Sequence, residues 1–197
     1  MNFIRFEISY TQAESASGKE LTAVSRGKIV KEILDWLKYI AIAVVLALLI
    51  NNFVLINAEV PTGSMEKTIM TNDRLFAFRL AYAFTEPKRG DIIVFKFPDN
   101  ESIPYVKRII GLPGEKVEMI NGEIFINDVR LDEPYILTEL RGTYGPYFVP
   151  EDSYFMLGDN RNSSVDSRIW ENTYVKKEKI LGKVFFRYWP DPKIISK

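Results

Sequence analysis

The run Ile40-Ala41-Ile42-Ala43-Val44-Val45-Leu46-Ala47-Leu48-Leu49-Ile50 carries no charge, and it constrains the fold more than any other stretch of the chain. Extended to Trp36–Ile56 it is a 21-residue span. As a helix this span is about 30 Å long, roughly one hydrocarbon thickness of a bilayer. Asn51 and Asn52 weaken its outer end, and the uncharged run is short enough to suit a cleavable leader. Two features argue for a permanent anchor instead. The preceding segment is long, and Ile56-Asn57-Ala58 lacks the small-x-small pattern of a cleavage site. Lys19, Arg26, Lys28, Lys31 and Lys38 flank the N-terminal side, whereas the first basic residue beyond the span is Lys67. The positive-inside bias therefore predicts a single pass through the cell membrane, with a cytoplasmic N-terminus and residues 58–197 outside.

This reading divides the chain into a cytosolic tail (1–33), an anchor helix (34–57) and an extracytoplasmic domain (58–197). The tail is polar and weakly patterned around Thr11–Lys19 and reads as flexible, with a short amphipathic helix beginning near Leu21. Beyond Glu59 the signals are those of strands. Asp91–Phe97 is β-branched and aromatic, and Tyr105–Ile110 is stopped by Gly111-Leu112-Pro113-Gly114. Lys116–Ile120 and Glu123–Ile126 flank Asn121-Gly122, the signature of a tight hairpin. Tyr154–Leu157 and Lys183–Trp189 supply later strands. With no second long helix and no repeat, the outer part is expected to be mainly β.

Composition then narrows the chemistry. Twenty-six basic and 26 acidic side chains cancel, so no net field draws the chain to nucleic acid. There is no cysteine and no histidine. A Ser-His-Asp triad, a Cys-His pair, a cysteine-ligated zinc and an HExxH zinc site are all excluded. Acid–base chemistry near neutral pH must pass through Lys, Asp, Glu or Tyr.

Three segments could carry such chemistry. In Pro61-Thr62-Gly63-Ser64-Met65 the proline fixes the approach, Gly63 permits a tight path, and Ser64 can project its hydroxyl. Thr62, two residues earlier, lies on the same side of an extended segment and could aim its hydroxyl at a developing oxyanion. A turn-rich loop joining anchor to domain accounts for the same letters. In Tyr105-Val106-Lys107-Arg108-Ile109-Ile110, residues 105, 107 and 109 share one strand face. If that face packs inward, Lys107 is desolvated and its pKa falls toward that of a base useful at neutral pH. Lying flat with its head in solvent is the ordinary alternative. Arg108 points the other way. The stretch Gly158–Arg168 is dense in hydrogen-bonding groups that could orient an amine or form an Asp166–Arg168 pair, or simply make a solvated turn. Its carboxylates do not follow an EF-hand spacing, and Gly111–Lys116 lacks a Walker A spacing.

An N-terminal anchor followed in order by PTGSM, RGDIIVF, YVKRIIGLPGE and GDNRNSSVDSR resembles the bacterial type I signal peptidases. The resemblance covers roughly residues 34–190. It implies an antiparallel β catalytic domain with a small β insertion at about 118–150, as in the compact Gram-positive members. It implies Ser64 as nucleophile, Lys107 as general base and Ser164 as the residue orienting the lysine amine. Thr62 and the Ser64 N–H would form the oxyanion hole, with Asp166, Arg168 and Asp159 in support. Val60, Met65, Ile69, Tyr105 and Val106 match positions lining shallow pockets for small side chains. The implied partners are the lipid bilayer and the signal peptides of secreted preproteins, cut by a monomer without metal or cofactor. One departure stands out: the family often has proline where this chain has Lys67. Two rival readings share the motifs, another Ser/Lys maturation peptidase and an inactive, membrane-tethered β binding module.

Overall fold

The structure is a computed structural model that describes residues 4–138 and 140–195. The chain forms two compact units that divide between Ile50 and Asn51. The first is a single helix, α1 (Ile4–Leu49), which passes into a π-helical turn at Ile50–Val54. The expected flexible tail is instead helical from Ile4, not from near Leu21. Its residues explain this: no proline occurs before Pro61, and Ala, Glu, Gln, Lys, Arg and Leu recur throughout, with Gly18 and Gly27 the only weak helix formers of that kind. Within α1 and its terminal turn, Gly27–Val54 is 28 residues long and apolar enough to cross a membrane. Its large side chains, among them Ile33, Leu37, Ile40 and Val44, are exposed, as a lipid-facing helix requires.

Among the described residues the second unit holds two antiparallel sheets. The strands of the larger are β1 (Leu55–Glu59), β2 (Arg74–Phe78), β3 (Ile92–Phe97), β4 (Asn100–Gly111), β9 (Ser153–Leu157), β10 (Val175–Lys176), β11 (Ile180–Trp189) and β12 (Lys193–Ile194). They run in the order β1-β2-β11-β3-β4-β9-β10, with β12 paired to β11. The smaller sheet is β7-β6-β5-β8, built from β5 (Lys116–Ile120), β6 (Glu123–Ile126), β7 (Val129–Arg130) and β8 (Tyr144–Phe148). It falls in the segment expected as an insertion. The β5–β6 turn is the Asn-Gly turn read from the sequence, with Asn121 at φ 52° and Gly122 at φ 94°.

Four consecutive residues of β3, Ile92 to Phe95, are buried because the large sheet is covered on both faces. Ile92 and Val94 pack with Leu75, Ala77 and Val184 on one side. Ile93 and Phe95 pack with Ile109, Met156 and Trp170 on the other. The β1–β2 ladder extends past Glu59: Val60 N–H donates to Asp73 O at 3.0 Å and Asn72 N–H to Val60 O at 2.8 Å. The chain therefore enters Pro61 from a fixed rail, which is what positions the next turn.

Candidate active site

Ser64 sits on the 3₁₀ turn Gly63–Met65. Below it, Met65 and Ile69 are fully buried, and Ile69 N–H donates to Met65 O at 2.9 Å. From the other side Asn160 clamps the turn, donating its N–H to Ser64 O at 3.1 Å and its Nδ2 to Gly63 O at 3.2 Å. A Cβ at Gly63 would meet only the Glu66 carboxylate, the far end of a flexible side chain that can move aside.

Lys107 arrives from β4. The β3–β4 register pairs it with Ile93 and pairs Tyr105 with Phe95, so its stem leaves an apolar face. Tyr105 stacks on Phe97 at 4.4 Å, with Trp170 edge-on at 6.1 Å, and these contacts fix the ring beside which Lys107 packs. Lys107 Nζ lies 2.6 Å from Ser64 Oγ, 3.3 Å from Val106 O and 5.4 Å from the centre of the Tyr105 ring. Lys107 is 4% exposed and Ser64 7%. Burial disfavours the ammonium and lowers its pKa from 10.5 to about 8, against an opposing pull from Asp166 and Asp159. Thr62 Oγ1 stands 3.4 Å from Ser64 Oγ.

The loop after β9 closes over this pair. Asp166 and Arg168 form a buried bidentate bridge at 2.7 and 2.9 Å, and Asp166 also accepts from Gly158 N–H at 3.1 Å. Asp159 takes the Arg108 guanidinium through two bonds of 2.8 and 2.7 Å, and Thr68 Oγ1 donates to it at 2.5 Å. Arg108 does point away from the Lys107 face, but into this buried pair and under the Tyr135 ring at 3.8 Å. The expected bond from Ser164 to Lys107 is not made. Ser164 Oγ is buried without a hydrogen-bond partner among the described residues. It borders the space that a Cβ at Gly158 would occupy, as does the carbonyl of Ser64.

A cavity of about 290 Å³ opens onto Ser64 and Lys107. Of the residues expected to line it, Val60, Tyr105 and Val106 do so. Met65 and Ile69 do not: the hydrogen bond between them closes a helical turn that aims both into the core with Leu75 and Val184. Glu59, Pro61, Ile103, Pro104, Ser163 and Val165 also line it and were not anticipated there. Val165 was legible in one respect, as the lone apolar residue inside Gly158–Arg168. A larger cavity of about 850 Å³, bordered by Leu80, Tyr82 and Ile180, shares no lining residue with this one and lies away from the Ser64–Lys107 pair.

The arrangement thus joins a hydroxyl, a desolvated amine and a cleft with apolar walls, and known proteins share its sequence. A "probable signal peptidase I-2" of Synechocystis is 43% identical over 162 residues, covering 80% of this chain and 73% of the relative. Signal peptidase I S of Bacillus subtilis is 41% identical over 171 residues, covering 81% and 91%. A crystal structure of a signal peptidase I from Enterococcus faecalis, 36% identical, superposes on 50% of this chain and 97% of its own with a TM-score of 0.42. The family model described as signal peptidase, peptidase S26, matches residues 33–189. With a family match and relatives of this extent, the chain is a peptidase and belongs to the signal peptidase family, peptidase S26.

Proposed function

We propose that this chain is a membrane-anchored serine endopeptidase that removes signal peptides from secreted preproteins, with Ser64 as nucleophile and Lys107 as general base. The observation that carries the reading is the 2.6 Å contact between Lys107 Nζ and Ser64 Oγ in a chain that has no histidine to replace the lysine. With a pKa of about 8, an appreciable fraction of Lys107 is neutral near physiological pH. The neutral amine accepts the Ser64 proton as Oγ attacks the scissile carbonyl, and an acyl-enzyme forms. The resulting ammonium protonates the leaving amine, and the lysine then activates water for deacylation. Thr62 Oγ1 and the Ser64 N–H are assigned to the oxyanion. Ser164 is assigned to hold the Lys107 amine in the reacting complex. Among the described residues its buried hydroxyl has no other partner, at a cost of about 1–3 kcal/mol that such a bond would relieve.

Strand β9 leaves β4 at the Arg108–Leu157 pair, so the Ile103–Lys107 edge meets no further strand among the described residues. An extended substrate segment fits between this edge and the residues before Ser64 as an added strand. Walls made by Val60, Val106 and Val165 suit small side chains beside the cut. Residues 34–57, which overlap the apolar Gly27–Val54 span, serve as the anchor in the bilayer, with the basic N-terminal flank inside, residues 58–197 outside, and the monomer as the working unit. Mass spectrometry of a preprotein digest tests the proposal. The wild type should release one signal peptide at a defined bond, and Ser64→Ala and Lys107→Ala should each release none while remaining folded. Turnover by Lys107→Ala at near the wild-type rate would refute the mechanism.

A further inference from the structure

Segment 131–138 leaves the small sheet, where Leu131 N–H donates to Ile124 O at 2.8 Å, and runs to the two loops that frame the site. Lys67, three residues after Ser64, donates to Pro134 O at 2.8 Å and Ile136 O at 2.9 Å. Leu137 N–H donates to Asp159 O at 3.2 Å. Between these ties the Glu133 carboxylate receives both terminal nitrogens of Arg161, at 2.8 and 2.6 Å, and the Tyr135 hydroxyl at 2.8 Å. The Arg161 and Glu133 side chains are 0% and 6% exposed. Arg161 Nε donates to Gly158 O at 3.0 Å, and the residue before it is Asn160, which grips the carbonyls of Gly63 and Ser64. The mechanism above uses neither Glu133 nor Arg161.

We infer that Glu133 is a positioning residue for Ser64, acting through Arg161 and Asn160 on the backbone that presents the Ser64 N–H to the oxyanion. The inference rests on Ser64 being the nucleophile. A bidentate carboxylate–guanidinium pair fixes its partners in angle as well as distance, so it transmits placement from the arm to the Asn160 clamp. A buried ion pair is weak evidence for stability, because its desolvation offsets most of its attraction. A geometric role accounts for the arrangement better. The oxyanion donor is needed only in the transition state, so a misplaced Ser64 N–H lowers kcat and leaves substrate binding alone.

The test uses the full chain in detergent with a synthetic peptide spanning a signal-peptide cleavage site. Glu133→Gln, Glu133→Asp, Ser64→Ala and wild type are compared, each normalised to its folded fraction by tryptophan fluorescence. Glu133→Gln should lower kcat about tenfold to a hundredfold, with KM within about twofold and the acid limb of the pH profile unmoved. Glu133→Asp, which keeps the charge, should lose less. A folded Glu133→Gln with wild-type kcat overturns the inference, and so does a change confined to KM or a displaced acid limb. If Glu133→Gln does not fold, Glu133→Asp decides: a reduced kcat supports the role and a wild-type kcat overturns it. Residual cleavage by Ser64→Ala would sink the underlying assignment of the nucleophile, whatever Glu133 does.

Discussion

Replacing Lys107 with methionine should abolish cleavage and make the protein more stable near neutral pH. Desolvation lowers the lysine pKa from 10.5 to about 8. At about 1.4 kcal/mol per pH unit, holding the charged form in the site costs roughly 3 kcal/mol. Methionine fills similar space without that cost. It forfeits the 2.6 Å bond to Ser64, worth about 1 kcal/mol. The net gain is therefore about 2 kcal/mol below pH 8. The sign of the pH dependence follows from proton counting. Between about pH 8 and 10.5 the unfolded chain holds a proton on Lys107 that the folded chain has lost, so wild-type stability rises with pH across that window. The advantage of the methionine variant should shrink over the same window and disappear by its upper end. Urea unfolding of both proteins at a series of pH values measures this difference, and groups common to both cancel. A stability difference that stays flat from neutral pH to 10.5 would mean that Lys107 titrates like an exposed lysine, and the case for a desolvated base would fail.

Thr62→Val removes the hydroxyl that stands 3.4 Å from Ser64 Oγ and should lower kcat about 10²–10³-fold, while Thr62→Ser should keep most of it. Steady-state cleavage of a peptide substrate decides this, and equal damage from both variants would point to packing. Gly158→Ala places a methyl against the Ser64 carbonyl and the Ser164 side chain, and should cost about 1–3 kcal/mol of stability along with most of the activity. Gly27→Ala, with nothing within 4 Å of the added Cβ, is the matched control and should leave turnover unchanged.

The parts of the site that were legible in the sequence are those set by local chemistry. Asn121-Gly122 announced its turn because both positions need positive φ, which few other residue pairs tolerate. Period-two alternation placed Lys107 on one face with Tyr105 and Ile109, but it left open whether that face packs inward, and only the fold buries it. The proximity of Ser64 and Lys107, 43 residues apart, was carried only by the family resemblance, because the β3–β4 register and the Asn160 clamp that create it are tertiary. The burial of Arg108 was not legible for the same kind of reason. Strand alternation places it opposite Lys107, but only the fold reveals that Asp159 and Tyr135 cover that face too. Met65 and Ile69 entered as pocket residues only through the family resemblance, and the helical turn that joins them faces the core instead of the cavity. Strand β2 escaped notice because its run Arg74-Leu75-Phe76-Ala77-Phe78 alternates weakly, and its position between β1 and β11 supplies the order that its pattern lacks.

The central claim is that the Lys107 amine is the base, and the most direct test changes the basicity of that amine alone. Because the chain has no cysteine, Lys107→Cys introduces a single thiol, which can be aminoethylated in the unfolded state before refolding. The product carries an amine at nearly the same reach, with a lower intrinsic pKa from the neighbouring sulfur. Measured as kcat/KM against pH, the unmodified variant should be inactive. The aminoethylated protein should recover activity, with its acid limb moved to lower pH than that of the wild type. Recovered activity with the acid limb where the wild type has it would contradict the account and assign the base to another group.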